Sequence, residues 1–294
     1  MPDGLIYQGL WAAGQINGTG KLTQTNGDIY EGDLVSGRRE GKGRVVYNNG
    51  DVYEGDFVDD RRHGRGTFSG SDGYRYEGAW VAGKISGQGE VTYPDGSVYV
   101  GAFRDDLANG QGKVTYPDGS TYDGEWSGGV IEGRGTATYP NGLVYEGEFL
   151  NAKNHGQGVM TYPDGYRYEG DWQNGQRHGR GFASYADGTT YEGEFSEGKR
   201  QGNGKILMAD GFTYTGAWQN GEITGLGEAT YTNGDVYEGA FQRGKRQGEG
   251  TMRYATGEEA IGTWADGALQ ERTSVVTDEA AETNDETETP LQSE

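Results

Sequence analysis

YRYEGDWQNGQRHGRG, residues 166–181, sets two carboxylates, Glu169 and Asp171, near His178, which is flanked by arginine and glycine. In isolation the stretch looks like a reactive cluster. It is one copy of a module. Tyr-x-Gly recurs with its tyrosine at 7, 30, 53, 76, 99, 122, 145, 168, 191, 214 and 237, every step being 23 residues. A twelfth copy carries Ala260 in that place and keeps Gly262. With the tyrosine as position zero, +4 is large and mostly aromatic, as in Trp11, Leu34, Phe57, Phe241 and Trp264. Glycine fills +2 throughout and +11, +13 and +20 in the eleven copies from Tyr7 to Tyr237. Gly179 and Gly181 therefore belong to a repeat and mark no private site.

Alternation gives the module its shape. Tyr168-Glu169-Gly170-Asp171-Trp172 alternates apolar or small residues with acids, the period-two pattern of a half-buried strand. Gly156-Gln157-Gly158-Val159-Met160-Thr161-Tyr162 alternates likewise and puts Gly156, Gly158, Met160 and Tyr162 on one face. Tyr162-Pro163-Asp164-Gly165, repeated at 93–96 and 116–119, suits a type I turn closed by a left-handed glycine. Each copy predicts two antiparallel strands and two turns. Stacked, the copies make an all-β, single-layer antiparallel sheet, an open ribbon of hairpins that leaves no pocket for a reaction.

Rings at zero and +4 share a face with the glycines at +2, +11 and +13. Glycine weakens a strand, so its repeated use implies that a ring approaches bare backbone. The expected structural ladder includes Tyr30, Phe57, Tyr76, Trp80, Tyr122, Trp126, Tyr145, Tyr168, Trp172, Tyr191, Trp218 and Tyr237. Whether Tyr168 faces +15 or +17 across its hairpin is not set by the pattern. At about 4.8 Å per strand, twelve copies extend on the order of 110 Å. Small-angle scattering should give a radius of gyration of about 30 Å or more, against about 19 Å for a globule of this length; the smaller value would dismiss the ribbon.

Bulk properties agree. Apolar residues make up 32% of the 294, and 57 residues are glycine, too lean a mixture for an ordinary core. There is no cysteine, so disulfides, thiolate metal sites and catalytic thiols are excluded. No apolar run approaches membrane-spanning length, and Met1-Pro2-Asp3-Gly4-Leu5-Ile6-Tyr7 lacks the pattern of a signal peptide. A cytoplasmic protein is expected, with the inner face of the membrane as the alternative location. The array is assigned to residues 1–267 and a disordered acidic tail to 268–294, which holds eight acids and one base. The first copy opens in mid-repeat, so a longer start would complete it.

Candidate chemistry mostly dissolves into the repeat. His63, His155 and His178 all occupy +10, where a polar turn residue is expected and no second ligand converges. Gly78 to Lys84 nearly matches a phosphate-binding loop, but Ile85 stands where a magnesium-binding hydroxyl is needed and no helix is expected to follow. The acid pairs Glu146/Glu148 and Glu192/Glu194 resemble a glycosidase pair, yet several copies offer equivalents, so they read as a solvated face. No enzyme, cofactor, metal or nucleotide is expected.

Tyr-Glu-Gly-x-Phe/Trp, then Gly-Lys/Arg-x-x-Gly-x-Gly, then Tyr-x-Asp-Gly, resembles the membrane occupation and recognition nexus (MORN) repeat across essentially residues 1–267. Departures are local: Ala260 at zero, Val100 and Thr215 at +1, and Asp60, Asp106 and Ala152 at +7. The resemblance implies an elongated β array serving as a scaffold, a dimerisation element or a binder of anionic lipids and proteins. It implies no catalysis. Such repeats occur fused to lipid kinases, but no kinase motif is present here.

One feature outlasts the repeat logic. Of 25 lysines and arginines, 21 fall between +6 and +14. Arg38, Arg39, Arg61, Arg62, Arg177, Arg180, Lys199, Arg200, Arg243, Lys245 and Arg246 should line one turn edge as a basic rail, despite a net charge of −21. Its candidate partners are anionic phospholipid head groups, a protein, or a second copy of this chain. Residues 1–267 carry 14 more acids than bases, which argues against nucleic acid. The leading expectation is a non-catalytic interaction scaffold. The alternative is a polysaccharide or cell-wall recognition module using the tyrosine and tryptophan ladder.

Overall fold

The structure, a computed structural model, describes residues 4–276. The chain divides into two compact units, 1–163 and 164–294. The described part of the first holds fourteen strands, from Ile6–Ala12 to Lys153–Thr161, and that of the second ten, from Arg167–Gln173 to Ala268–Val276. Within each unit every strand pairs antiparallel with the next. Strand is the only regular structure among the described residues.

Each copy supplies a seven-residue strand from −1 to +5, such as Ile29–Val35, and a nine-residue strand from +8 to +16, such as Arg38–Val46. Between them +6 and +7 form a two-residue turn with both φ angles positive, 49° at Ser36 and 79° at Gly37. Its twist matches that of the strands it joins. The second turn is the expected type I form. In Tyr93-Pro94-Asp95-Gly96 the Gly96 N–H donates to the Tyr93 carbonyl at 2.9 Å, and Gly96 has φ 90°.

The open register resolves to +15. Tyr168 faces Ala183 in its own hairpin, and Tyr191 faces the same Ala183 from the other side. Val45, Val91, Ala183 and Ile206 each sit in this way between two tyrosines, buried to 3% exposure or less. This second apolar series completes the core.

Two expectations need correction. Gly32 faces Gly43 but Leu34 faces Arg39, so Asp33 stands opposite three residues and the longer strand carries a two-residue bulge. Glycine at +11 serves this bulge, with φ 71° at Gly41, and no ring lies over it. The +3 carboxylate caps the bulge: Asp56 accepts the Arg65 N–H at 3.0 Å, and Asp171 accepts the Arg180 N–H at 2.8 Å. The array also runs past 267. Ala268–Val276 pairs with Glu259–Ala265, because a further strand satisfies backbone groups whatever its side chains. The rest of the expected tail, 277–294, lies outside the described residues.

Candidate functional site

The ladder lies where the pattern put it. Its twelve residues are exposed by 6% or less, except half-buried Trp126. Tyr53 packs edge-to-face on Phe57 of its own copy at 5.2 Å between centroids and on Trp80 of the next at 5.3 Å. Tyr99 repeats the arrangement with Phe103 at 5.0 Å and Trp126 at 5.1 Å. Such pairs contribute about 0.5–1.5 kcal/mol each beyond the burial of area. The phenol crosses the glycines at +2 and +13, and its O–H donates to the +3 carbonyl, as from Tyr76 to Ala79 at 2.9 Å. Tyrosine is needed because its reach ends on that carbonyl. Burial pushes the Tyr122 phenol up to about 12, so the ladder stays neutral in ordinary buffers. Rings packed this way present no open face to a sugar, which removes the platform that the polysaccharide reading requires.

The histidines lie on strands, one position beyond the arginine site, and not on turns. In several copies position +10 is an acceptor for the next copy's tight turn. Glu40 takes the Asp59 N–H at 2.9 Å, Gln201 takes the Asn220 N–H at 3.0 Å, and His63 Nδ1 takes the Ala82 N–H at 3.4 Å. Any residue with an accepting atom at that reach will serve, as Asn17, Glu40, His63 and Gln201 do. In the acid pairs the second member, Glu148 or Glu194, sits against the bulge glycine, Gly156 or Gly202. Lys84 of the phosphate-loop look-alike begins a strand and pairs with Asp105 at 2.9 Å. Among the described residues no group of histidines and carboxylates is placed to hold a metal ion.

The basic rail divides into parts with different work. Arg39, Arg62, Arg177, Arg200 and Arg246, at +9, lie over the ladder. Arg62 Cζ is 4.1 Å from the Trp80 ring centroid, Arg246 is 4.4 Å from Trp264, and Arg200 is 4.6 Å from Trp218. Arg62 and Arg177 also donate to the carbonyls of Gly83 and Gly198 in the next tight turn, at 3.0 and 2.7 Å. Of the copies without arginine, three carry Ile16, Ile85 and Ala108 there, buried to 7%, 6% and 7%. The +9 side chain is a lid on the rings. Arg38, Arg61, Lys199 and Lys245, at +8, are exposed at the start of their strands. Arg38 pairs with Asp59 at 2.6 Å and Lys245 with Asp266 at 3.3 Å. Arg243 lies within a tight turn, at φ 49°. Arg180 faces Glu194 on the opposite side of the sheet and so leaves the rail altogether.

The pattern of +5 with +8 escaped the sequence reading. These positions face each other across the tight turn. In the first unit five of the seven rungs, Val35/Arg38, Val58/Arg61, Val81/Lys84, Leu107/Arg104 and Leu150/Lys153, join one aliphatic to one cation, while Ala12/Gln15 and Ser127/Val130 do not. The aliphatics are exposed by 39–53%. The signal was present in the sequence but needed the pairing register to be seen. The second unit lacks it, with Gln173/Gln176, Gln219/Glu222 and Ala265/Ala268 in the same places.

The polar face is hollowed. An open trough of about 820 Å³ in the first unit is floored by Gly43, Gly55, Gly66 and Gly78. Two of its wall charges pair with residues outside it, Lys42 with Asp56 at 2.6 Å and Glu31 with Lys21 at 2.7 Å. No histidine lines it.

A family model described as MORN repeat matches eleven consecutive segments: 7–29, 30–52, 53–73, 76–98, 99–121, 122–144, 145–165, 168–190, 191–213, 214–236 and 237–259. The chain belongs to the MORN repeat family. The MORN array is similar to the solved SAS-4 (dCPAP) TCP domain of Drosophila melanogaster, in complex with a proline-rich motif of Ana2 (dSTIL). Identity is 14% over 56% of this chain and 96% of that one, with a TM-score of 0.34. The wild-type TCP10 domain of Danio rerio CPAP is 17% identical over 74% of this chain and 91% of that one, with a TM-score of 0.28. No curated protein matches the chain. Among the described residues no helix of the MORN array is long and apolar enough to cross a membrane.

Proposed function

We propose that this MORN array is a non-catalytic interaction scaffold, and that the tight-turn edge of its first unit is a partner-binding surface. The supporting observation is the row of rungs that couples an exposed aliphatic to a cation in five copies. Isolated exposed aliphatics are ordinary, whereas a row of them is characteristic of recognition surfaces. A protein partner, including a second copy, is favoured over a membrane. Asp59, Asp60, Asp105 and Asp106 share the edge, and a uniformly anionic surface would meet both signs.

Vesicle flotation separates these partners. The full chain is expected to ignore phosphatidylcholine vesicles, and to bind vesicles enriched in phosphatidylserine only at low salt, where surface charge is poorly screened. A photo-crosslinker placed at Val58 or Val81 should capture protein partners that the same group at Gln219 of the second unit does not. Flotation that survives physiological salt and is lost in the Arg38→Glu, Arg61→Glu double variant would transfer the edge to the lipid reading. Identical capture from Val58 and Gln219 would refute the edge as a binding surface.

A further inference from the structure

We propose that the opposite edge of the first unit, at the five-residue turns, docks a proline-rich segment carrying basic residues. This goes beyond the scaffold reading and uses a different set of side chains. Tyr93, Tyr116 and Tyr139 occupy +17 in three successive copies, at the entrance to these turns, and are exposed by 38–40%. Buried Tyr99 spends its hydroxyl on the Ala102 carbonyl, whereas none of these three phenols is hydrogen-bonded within the described residues. They are donors without acceptors, on rings half in water.

Position +21, next to the +17 ring of the following copy, is aromatic in three other copies, as Tyr74, Tyr166 and Phe212: Tyr74 packs on Tyr93 at 6.1 Å, and Phe212 packs on Tyr231 at 5.6 Å. Between Tyr93 and Tyr116 the same position is Ser97, and between Tyr116 and Tyr139 it is Ser120. The gaps that rings fill in those three copies are here bordered by small residues.

Spacing and chemistry select the occupant. Successive +17 rings are two strands apart, about 9.6 Å. A polyproline II helix repeats every three residues, about 9.3 Å, so consecutive turns of it meet consecutive rings. Its carbonyls have no internal hydrogen bonds and accept from phenol donors. Being already extended, it loses little conformational freedom on docking, and aromatic-lined surfaces are its usual receptors. Asp95 and Asp118 lie in the same turns, at the edge of the row, and complement a segment bearing lysine or arginine.

The experiment is fluorescence anisotropy of the full chain with a labelled nine-proline peptide ending in two arginines. A glycine–serine peptide of equal length and charge is the control. Saturable binding to the proline peptide, at least tenfold tighter than to the control, is expected. Tyr116→Ala should weaken it tenfold or more and Tyr116→Phe about threefold, with unchanged far-ultraviolet circular dichroism. Ser120→Tyr, which installs the ring found in other copies, should weaken it by a similar factor while preserving the fold. Equal binding to both peptides would mean charge alone. Failure of all three variants to alter binding, or preference for a soluble glucan over the peptide, would likewise overturn the proposal. None of these results bears on capture at Val58 and Val81, so either reading can fail alone.

Discussion

Gly101→Val should cost about 4 kcal/mol or more and lower the urea midpoint sharply. A Cβ at Gly101 would stand 2.5 Å from the Gly112 Cα, 2.6 Å from the Tyr99 hydroxyl and 2.7 Å from the Gln111 carbonyl. Two of these three obstacles are backbone, so a side-chain rotation cannot clear them. Overpacking alone costs about 1–3 kcal/mol. Displacing Tyr99 adds the loss of a core ring that pairs with Phe103 and Trp126. Gly37→Ala is the comparison. Nothing lies within 4 Å of its Cβ, and only the positive φ of 79° opposes it, for about 1 kcal/mol. If Gly101→Val and Gly37→Ala shift the midpoint equally, ring-on-backbone packing is not what holds the sheet.

Tyr76→Ala should cost about 3–5 kcal/mol, the range for removing a buried aromatic. Tyr76 is fully buried and touches Trp80 at 5.3 Å and Phe103 at 5.4 Å between centroids. One side chain therefore joins two copies. Tyr76→Phe keeps both ring contacts and loses only the 2.9 Å bond to the Ala79 carbonyl, about 1 kcal/mol. Native-state hydrogen exchange reads the difference. In Tyr76→Ala the amides of Arg75–Val81 and Val98–Arg104 should exchange faster, whereas Lys153–Thr161 should change little, because each copy leans mainly on its neighbours. Equal acceleration throughout the first unit would refute that locality.

Tyr53, Gly55, Phe57 and Gly66 show why the aromatic face was readable in advance. Alternation along one strand puts zero, +2 and +4 on one side, and glycine paired with ring announces a close approach. Both inferences are local. His63 and Arg62 show the opposite case. Their positions were plain, but the work of each is done on the following copy, at the Ala82 N–H and the Trp80 ring. Arg180 was counted with the rail because its offset falls in the basic window, although alternation after the bulge turns it toward Glu194. Val58 and Arg61 form a rung only once the register across the tight turn is known.

The order of residues within 23 positions is enough to dictate strand, turn and buried face, because each depends on neighbours a few residues away along the chain. Charge and exposure at the edges depend on which side chains of adjoining hairpins meet. Packing between copies turned five arginines inward as lids, set carboxylates beside several of the others, and left aliphatic rungs and three unbonded phenols at the surface. The arginine and carboxylate contacts join groups 21 residues apart, as Arg62 with Gly83 and Arg38 with Asp59, so they came into being only when the hairpins stacked.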